Sequence, residues 1–560
     1  MNNNPMTQQK RNPALNARLL VLPLLLADLS AFAAPPDAGQ VLKEIRPAPA
    51  RPASEVLPTH IEERAASSPS DGARIMVKGV RISGQSVFPE AELLALVSDA
   101  AGKELSLADL NQLAARITAY YRKHGYSVAR AYLPAQDIRG GQVKIAVLEG
   151  RLGKVKIDNS AGLGDSALAP VASLAAGTIL RKNELEASLL ALADLPGVKV
   201  KSVLRPGESI GTSDLLVDVA PGRAITGSVD LDNYGNRYTG DMQAGGSVYF
   251  NNPLKRGDQL SLRVQSSGSG LGYGLIGYQL PLGSRGTRVG AAWSQMHYKL
   301  GKDFAGLNAD GDAGVSSIHV LHPFVRGRLV NLYGQARYET KRLTDRVGVT
   351  AVQTDKTLDN WTVGFNGDRT DALGGGGTTS FALSYTAGKL GLDAVSQTID
   401  AGSAQSSGRF GKTSLTAQRL QSLTDKATFY FSYAGQWAGK NLDSAEKFAL
   451  GGATGVRAYP VGEASGDEGQ LLTAEVRWRV REHWQLKGFY DDGYITVNRS
   501  PWPKFAGTNT RHLAGAGVGA SFNSGEVSVD VLAAWKTGTG SPTSDTDRTP
   551  RIWLQAVRYF

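Results

Sequence analysis

Gln259-Leu260-Ser261-Leu262-Arg263-Val264-Gln265 alternates without a break. Leu260, Leu262 and Val264 fall on one side of an extended chain, and Gln259, Ser261, Arg263 and Gln265 on the other, because successive strand side chains point opposite ways. The same period returns at Phe429, Phe431, Tyr433 and Trp437, and again at Leu472, Ala474, Val476, Trp478 and Val480. Strict period two, apolar and aromatic on one face and polar on the other, is the pattern of a strand with lipid outside and water inside. A soluble sandwich alternates locally too, but does not usually join aromatic outer faces to long glycine-rich loops. Arg551 to Phe560 is a further alternating run with an aromatic end, of the length a tilted strand needs to cross hydrocarbon. Residues 223–560 therefore read as a transmembrane β-barrel. Sixteen strands of about twenty-one residues each, turns included, fill that span, and twelve or eighteen satisfy the same count.

Composition agrees with export. Lys10, Arg11 and Arg18 precede a short apolar run from Leu19 to Ala27, and Ala31-Phe32-Ala33 supplies small residues for a signal peptidase, so residues 1–33 are expected to be a cleaved leader. No run approaches the roughly twenty apolar residues of a spanning helix, so membrane insertion is expected only as a barrel. Cysteine is absent, which excludes disulfides, thiolate metal sites and cysteine nucleophiles. The net charge of +10 is scattered along strands instead of clustered, and no nucleic-acid partner is expected.

Between leader and barrel lie three further segments. Residues 34–46 hold a short helix: Asp37 is placed to cap it, and Val41, Leu42 and Ile45 share one face. Residues 47–74 are rich in Pro, Ala and Ser and read as an extended linker reaching on the order of 80 Å. Residues 75–150 and 151–222 each repeat the order strand, helix, helix, strand, strand. The first has a capping pattern at Ser106 and Asp109, and Gly125 ends its long helix. Each is a small α+β module, a sheet backed by two helices.

One loop and one strand carry the most chemistry. Leu450 to Tyr459 is glycine-rich and includes Arg457; its loop is long enough to fold into the barrel. In Gln485 to Gly493, Leu486, Gly488 and Tyr490 face lipid, which leaves Lys487, Phe489 and Asp491 facing the lumen. A guanidinium there wants a carboxylate in a bidentate grip. Asp491 and Glu475 both qualify; an Arg457 exposed to water is the remaining alternative.

Val456-Arg457-Ala458-Tyr459 resembles the Val-Arg-Gly-Tyr motif in the sixth extracellular loop of two-partner secretion transporters (TpsB type, the ShlB/FhaC/HecB family). Phe489-Tyr490-Asp491-Asp492-Gly493 is similar to their Phe-x-Asp-x-Gly strand motif, in which Phe489, Asp491 and Gly493 match. Asn252 to Leu260, Tyr278 to Gly283 and Asp232-Asn233-Tyr234-Gly235 are similar to their early barrel segments. The resemblance implies sixteen strands, two POTRA domains, a helix carrying Val41, Leu42 and Ile45 that plugs the pore, and loop six anchored inside by Arg457. It also implies a partner, one large TpsA-type exoprotein such as an adhesin or cytolysin. Outer-membrane lipid and the barrel-assembly machinery are further expected contacts. Ala458 departs from the family's Gly, whose freedom at positive φ it lacks, and Arg558 interrupts the apolar face of the last strand.

No enzyme, cofactor or metal is expected. Gly207-Glu208-Ser209-Ile210-Gly211 fits a nucleophile elbow but joins two strands, where a hairpin is the expectation. Gly408 to Thr413 imitates a phosphate loop, yet Ser406 stands where the first Gly is required. Asn308 to Asp312 has calcium-like spacing without the distal Glu, and is expected as a polar surface loop. The expected job is export: the modules capture an unfolded partner by strand addition, and the barrel conducts it outward. A barrel-assembly factor and a passive porin are the alternatives.

Overall fold

The computed structural model describes residues 35–49, 59–61, 74–538 and 540–560. The expected leader and most of the expected linker lie outside the described residues.

Sixteen antiparallel strands close into one barrel in sequence order. They are β1 (Ile225–Asp232), β2 (Gln243–Asn251), β3 (Gln259–Ser266), β4 (Leu271–Leu282), β5 (Thr287–Lys299), β6 (Ala309–Arg326), β7 (Val330–Val347) and β8 (Val352–Asp371). Then follow β9 (Gly377–Leu392), β10 (Gly408–Ser422), β11 (Ala427–Ala438), β12 (Glu468–Arg481), β13 (Trp484–Thr496), β14 (Thr510–Asn523), β15 (Val527–Lys536) and β16 (Arg551–Tyr559). β1 and β16 complete the ring through five register pairs, Ser228 with Tyr559 to Asp232 with Gln555. Closure leaves no strand edge in the hydrocarbon, where an unpaired N–H or C=O has no water to turn to. Twelve and eighteen strands are thereby excluded.

The alternation sorts side chains as expected. Val264, Trp293, Ile318, Trp361, Val363 and Phe365 are exposed on the outer wall, while Arg263, Gln265, Asn360, Glu475 and Asp491 are buried inside. β1 follows directly from the modules, so its starting end is the periplasmic rim, and loop 439–467 emerges on the far side. β6 to β8 run to 18, 18 and 20 residues, beyond the ~10 that cross a bilayer, and their surplus stands above the membrane. Asn308 to Asp312 belongs to this extension and is not the expected surface loop. Ala309 to Asp312 begin β6, and Arg346 holds Asp310 at 2.9 Å and Asp312 at 2.8 Å. Gly207 to Gly211 is the hairpin between strands Val198–Pro206 and Thr212–Pro221, and Gly408 to Thr413 is the start of β10.

Residues 75–222 form two cores. In the first, helix Leu107–Lys123 buries Leu110, Leu113, Ile117 and Tyr121. Its Ser106–Asp109 capping box is complete. The one strand expected to open the first module is two, Ile75–Val77 and Gly79–Ser83, which enter different sheets. The second core gathers Leu152, Val171, Leu192, Leu215 and Val217 under helices Asp165–Ala172 and Lys182–Ala193. That module is tied to the barrel rim: Arg326 makes two bonds of 2.8 Å to Asp194, and Arg328 reaches Glu186 at 2.9 Å.

The linker is more than a spacer. Thr59–Ile61 pairs in parallel with Ser202, Val203 and Leu204, adding a strand to the edge of the second module's sheet.

Glu149 is the buried charge of the first module. It accepts from the backbone N–H of Ser86 and Val87 and from the hydroxyls of Ser86 and Tyr121. Glu149→Ala strands these donors and is expected to destabilise the module by about 3 kcal/mol. Urea unfolding followed by tyrosine fluorescence, wild type against variant, measures this; an unchanged midpoint would refute it.

Candidate functional site

Loop 439–467 turns back into the barrel because its ends pair. Phe448–Ala449 and Ser465–Gly466 form a short hairpin inside the lumen. The chain between them reverses tightly. Gly452 takes φ of +103°, and a Cβ at Gly455 would collide with the Leu450 carbonyl, so both positions require glycine.

The turn delivers Arg457 to the wall. Its Nε and Nη2 donate to Asp491 at 2.8 Å each, and its backbone N–H reaches the same carboxylate at 3.1 Å. Nη1 donates to Glu475 at 2.8 Å. Asp491 and Glu475 are therefore both partners: they sit on adjacent strands, and Arg457 bridges them. The guanidinium lies 3.4 Å above the Phe489 ring, a cation–π contact that suits a cation taken out of water. Thr473 gives Asp491 a further bond of 3.0 Å, and Trp553 Nε1 donates to the Arg457 carbonyl at 2.7 Å. Sequence reasoning missed Thr473 and Trp553. The signal for Trp553 was an inward tryptophan, between outward Ile552 and Leu554, in a lumen otherwise polar.

Apolar packing completes the clasp. Val456, Ala458 and Tyr459 are buried with Leu450, Phe489, Leu513 and Trp553. Gly493 makes room: a Cβ there would sit 2.8 Å from Leu450 Cδ2 and 3.0 Å from Val456 Cγ2. Ala458 keeps φ out of the positive region, so the loop tip does not need the glycine that the family carries. Its methyl group fills space left by Gly515, whose own Cβ would overlap it.

A helix occupies the lumen beside this loop. α1 (Ala38–Glu44) is capped by Asp37, which accepts from the Gln40 N–H at 2.9 Å. Asp37 also binds Lys356 of β8 at 2.8 Å and the Ser444 hydroxyl at 2.7 Å. Ala38 N–H donates to Asp345 at 2.7 Å, and beyond the helix Arg46 pairs with Asp232 at 2.7 Å. Ala38 and Val41 are fully buried, with Leu42 and Ile45 packed partly against the same cluster. Gly39 lies so close to loop six that a Cβ would come within 2.7 Å of the Ala445 nitrogen.

Lys43 is the exception. Its amine is buried without a hydrogen-bond partner. Burial first, then the nearby Lys412, Lys341 and Lys447, push it down to about 7, with Glu446 opposing. Burial likewise pushes Glu44 up to about 7, against a 3.0 Å bond from Asn236.

Comparison with known proteins settles the family. Residues 211–522 match the model of the haemolysin secretion/activation proteins ShlB/FhaC/HecB. The chain belongs to that family. Residues 75–150 match the ShlB-type POTRA domain. The chain is 30% identical over 479 residues to the heme/hemopexin transporter protein HuxB of Haemophilus influenzae, covering 84% of each. It is 27% identical over 488 residues to the outer membrane transporter CdiB of Escherichia coli, covering 82% of this chain and 79% of that one. The solved CdiB from Escherichia coli superposes with a TM-score of 0.71 at 23% identity, covering 99% of this chain and all of the other, a likeness of fold. As a TpsB-type transporter this chain sits in the outer membrane with its POTRA region in the periplasm, and it serves a secreted partner.

Arg457→Ala leaves buried Asp491 without a cation, while Glu475 keeps Arg477 at 2.7 Å. The uncompensated Asp491 costs on the order of 3–5 kcal/mol. Secretion is expected to fall while the barrel still closes, read as partner in the medium against heat-modifiable mobility of the transporter. Arg457→Lys, a point charge that cannot serve both carboxylates, is expected to fall between. Full secretion by Arg457→Ala at wild-type protein level would remove the clasp from the mechanism.

Proposed function

We propose that residues 75–222 capture one large unfolded exoprotein in the periplasm, and that it passes through the barrel once α1 leaves the lumen while loop six stays clasped. The observation that carries this reading is the contrast between the two occupants of the lumen. Arg457 is paired on every side and set in an apolar cluster. α1 is seven residues long, seats Ala38 and Val41 in an apolar cluster of its own, and is tied by ion pairs at its ends. It carries an unpartnered amine in among Lys341, Lys412 and Lys447, whose own carboxylate partners are Glu446 and Asp467. Such an amine weakens docking, because burying its charge costs free energy that no acceptor returns. The Pro-rich tether lets the helix withdraw without disturbing the modules.

Strand addition supplies the capture step. The edge of Val198–Pro206 offers backbone donors and acceptors to an extended segment. Thr59–Ile61 holds that edge in the resting protein, so an arriving partner strand and the linker compete for it. Displacing the linker strand would loosen the same tether that leads to α1. In the membrane, the outer aromatic belt contacts lipid, and β16 with its outward Arg558 is the segment offered to the assembly machinery. An occupied lumen stands against a passive porin, and two modules with a tethered helix against a general assembly factor.

Closure should depend on pH through Lys43. Free in water its pKa is near the ordinary 10.5, and docked it is about 7. Docking thus carries its full penalty below pH 7 and sheds it as pH rises toward 10.5, at most about tenfold in docking constant per pH unit. Glu44, docked at about 7, is ionised both docked and free within that window and adds no slope there. Single-channel open probability is therefore expected to fall from pH 7.5 to pH 9, and Lys43→Met to lower it at pH 7.5 and flatten the slope. An unchanged pH response in Lys43→Met would contradict the assignment.

His60→Pro removes a donor from the linker strand and breaks its pairing. Partner segments are expected to bind the periplasmic region more tightly in this variant, by calorimetry. Equal affinity would show that the edge is not the capture site.

A further inference from the structure

The outer wall carries a basic row that transport leaves unused. At one height the strand register aligns Ser316, Thr340, Asp359, Lys389 and Arg409 across β6 to β10. Their chain neighbours Leu358, Leu390 and Phe410 are buried in the lumen cluster with α1, so the row faces away from the lumen. Asp359, Lys389 and Arg409 are exposed. Arg342, beside buried Leu343, is exposed one register step higher, between Gly314 and Thr357.

The height of the row is fixed by aromatic residues. One register step toward the periplasm lie Tyr338 and Trp361, outward rings 4.9 Å apart. Such rings mark the level where hydrocarbon gives way to headgroups. Two residues further along a strand is about 7 Å. The row therefore lies among the headgroups of the outer leaflet, on the extracellular side where loop six emerges.

Its charges are unbalanced. Lys389 and Arg409 are directly opposite each other on neighbouring antiparallel strands, where side chains start about 5 Å apart and like charges repel. Among the described residues neither has an ion pair or hydrogen-bond partner, nor has Arg342. The row's carboxylate, Asp359, accepts from the Tyr338 hydroxyl at 3.3 Å and faces Lys389 alone. Three cations against one anion, held on rigid strands, lack an anionic partner. A planar fork beside a point charge is the pair that grips a phosphate.

We propose that Lys389 and Arg409, with Arg342 above them, bind the phosphate of a lipid A-type glycolipid in the outer leaflet. The acyl chains of such a lipid would lie along the apolar wall below, over Trp361, Val363 and Tyr385, which are exposed there.

The test is native mass spectrometry of the full chain in detergent after exchange with defined lipids: bisphosphorylated lipid A, dephosphorylated lipid A and phosphatidylglycerol. Wild type is expected to retain bisphosphorylated lipid A over the other two by about tenfold, the effect of one charge-assisted hydrogen bond. The double variant Lys389→Gln/Arg409→Gln should lose that preference while heat-modifiable mobility and secretion stay as in wild type. Should the double variant fail to assemble, Arg409→Gln alone is expected to lose most of the preference. Equal retention of the dephosphorylated form, equal retention of phosphatidylglycerol, or an undiminished preference in an assembled variant each overturns the proposal.

Discussion

Everything in this molecule follows from the absence of water in the middle of a membrane. A backbone N–H or C=O in hydrocarbon must find its partner within the protein, and sixteen strands meet that demand by closing on themselves through the short β1–β16 seam. Closure on that scale leaves a lumen wide enough to admit water, and a wide lumen in an outer membrane is a leak. The lumen must therefore be filled, by parts that are neither strand nor lipid. Loop six and α1 are those parts, and both are held by charges because the inner wall is polar.

The two attachments differ in how they settle the cost of burying charge. Arg457 brings one cation to two carboxylates and a ring face, and its own backbone N–H donates to one of those carboxylates, so nothing at the clasp is left unpaired. Such a site, once assembled, has no reason to open, and removing Arg457 strands Asp491. α1 settles its ends in the same way, at Asp37 with Lys356 and at Arg46 with Asp232, but leaves Lys43 exposed to like charges inside the protein. On the proposed reading, a fixture and a removable stopper are thus distinguished by the completeness of their pairing.

The periplasmic half uses one hydrogen-bonding device twice. Val198–Pro206 pairs with Thr212–Pro221 on one side as a lasting hairpin and with three linker residues on the other. A three-residue parallel pairing is a weak hold on an edge that wants a partner. In the proposed capture step it keeps the edge from binding indiscriminately and yields to a longer strand.

Periodicity alone determined a good deal. Alternation in Gln259 to Gln265 and in the aromatic strands established the barrel, its inner and outer faces, and the lumenal aim of Phe489 and Asp491, since side-chain direction in a strand is local geometry. The helical spacing of Val41, Leu42 and Ile45 and the capping boxes were local too. The choice among twelve, sixteen and eighteen strands was not, because closure depends on tilt and stagger summed around the ring. Nor was the double grip of Arg457, since Asp491 and Glu475 become neighbours only through the pairing of β12 with β13, nor the bond from Trp553, which lies almost a hundred residues away. Asn308 to Asp312 read as a loop because short polar runs look alike whether in a turn or in a strand that outgrows the membrane. The linker's strand at Thr59–Ile61 was invisible for a similar reason: its partner lies in another module. The sequence by itself determined what each residue faces; the tertiary structure decided what it meets there, because partners in a closed sheet are set by long-range register.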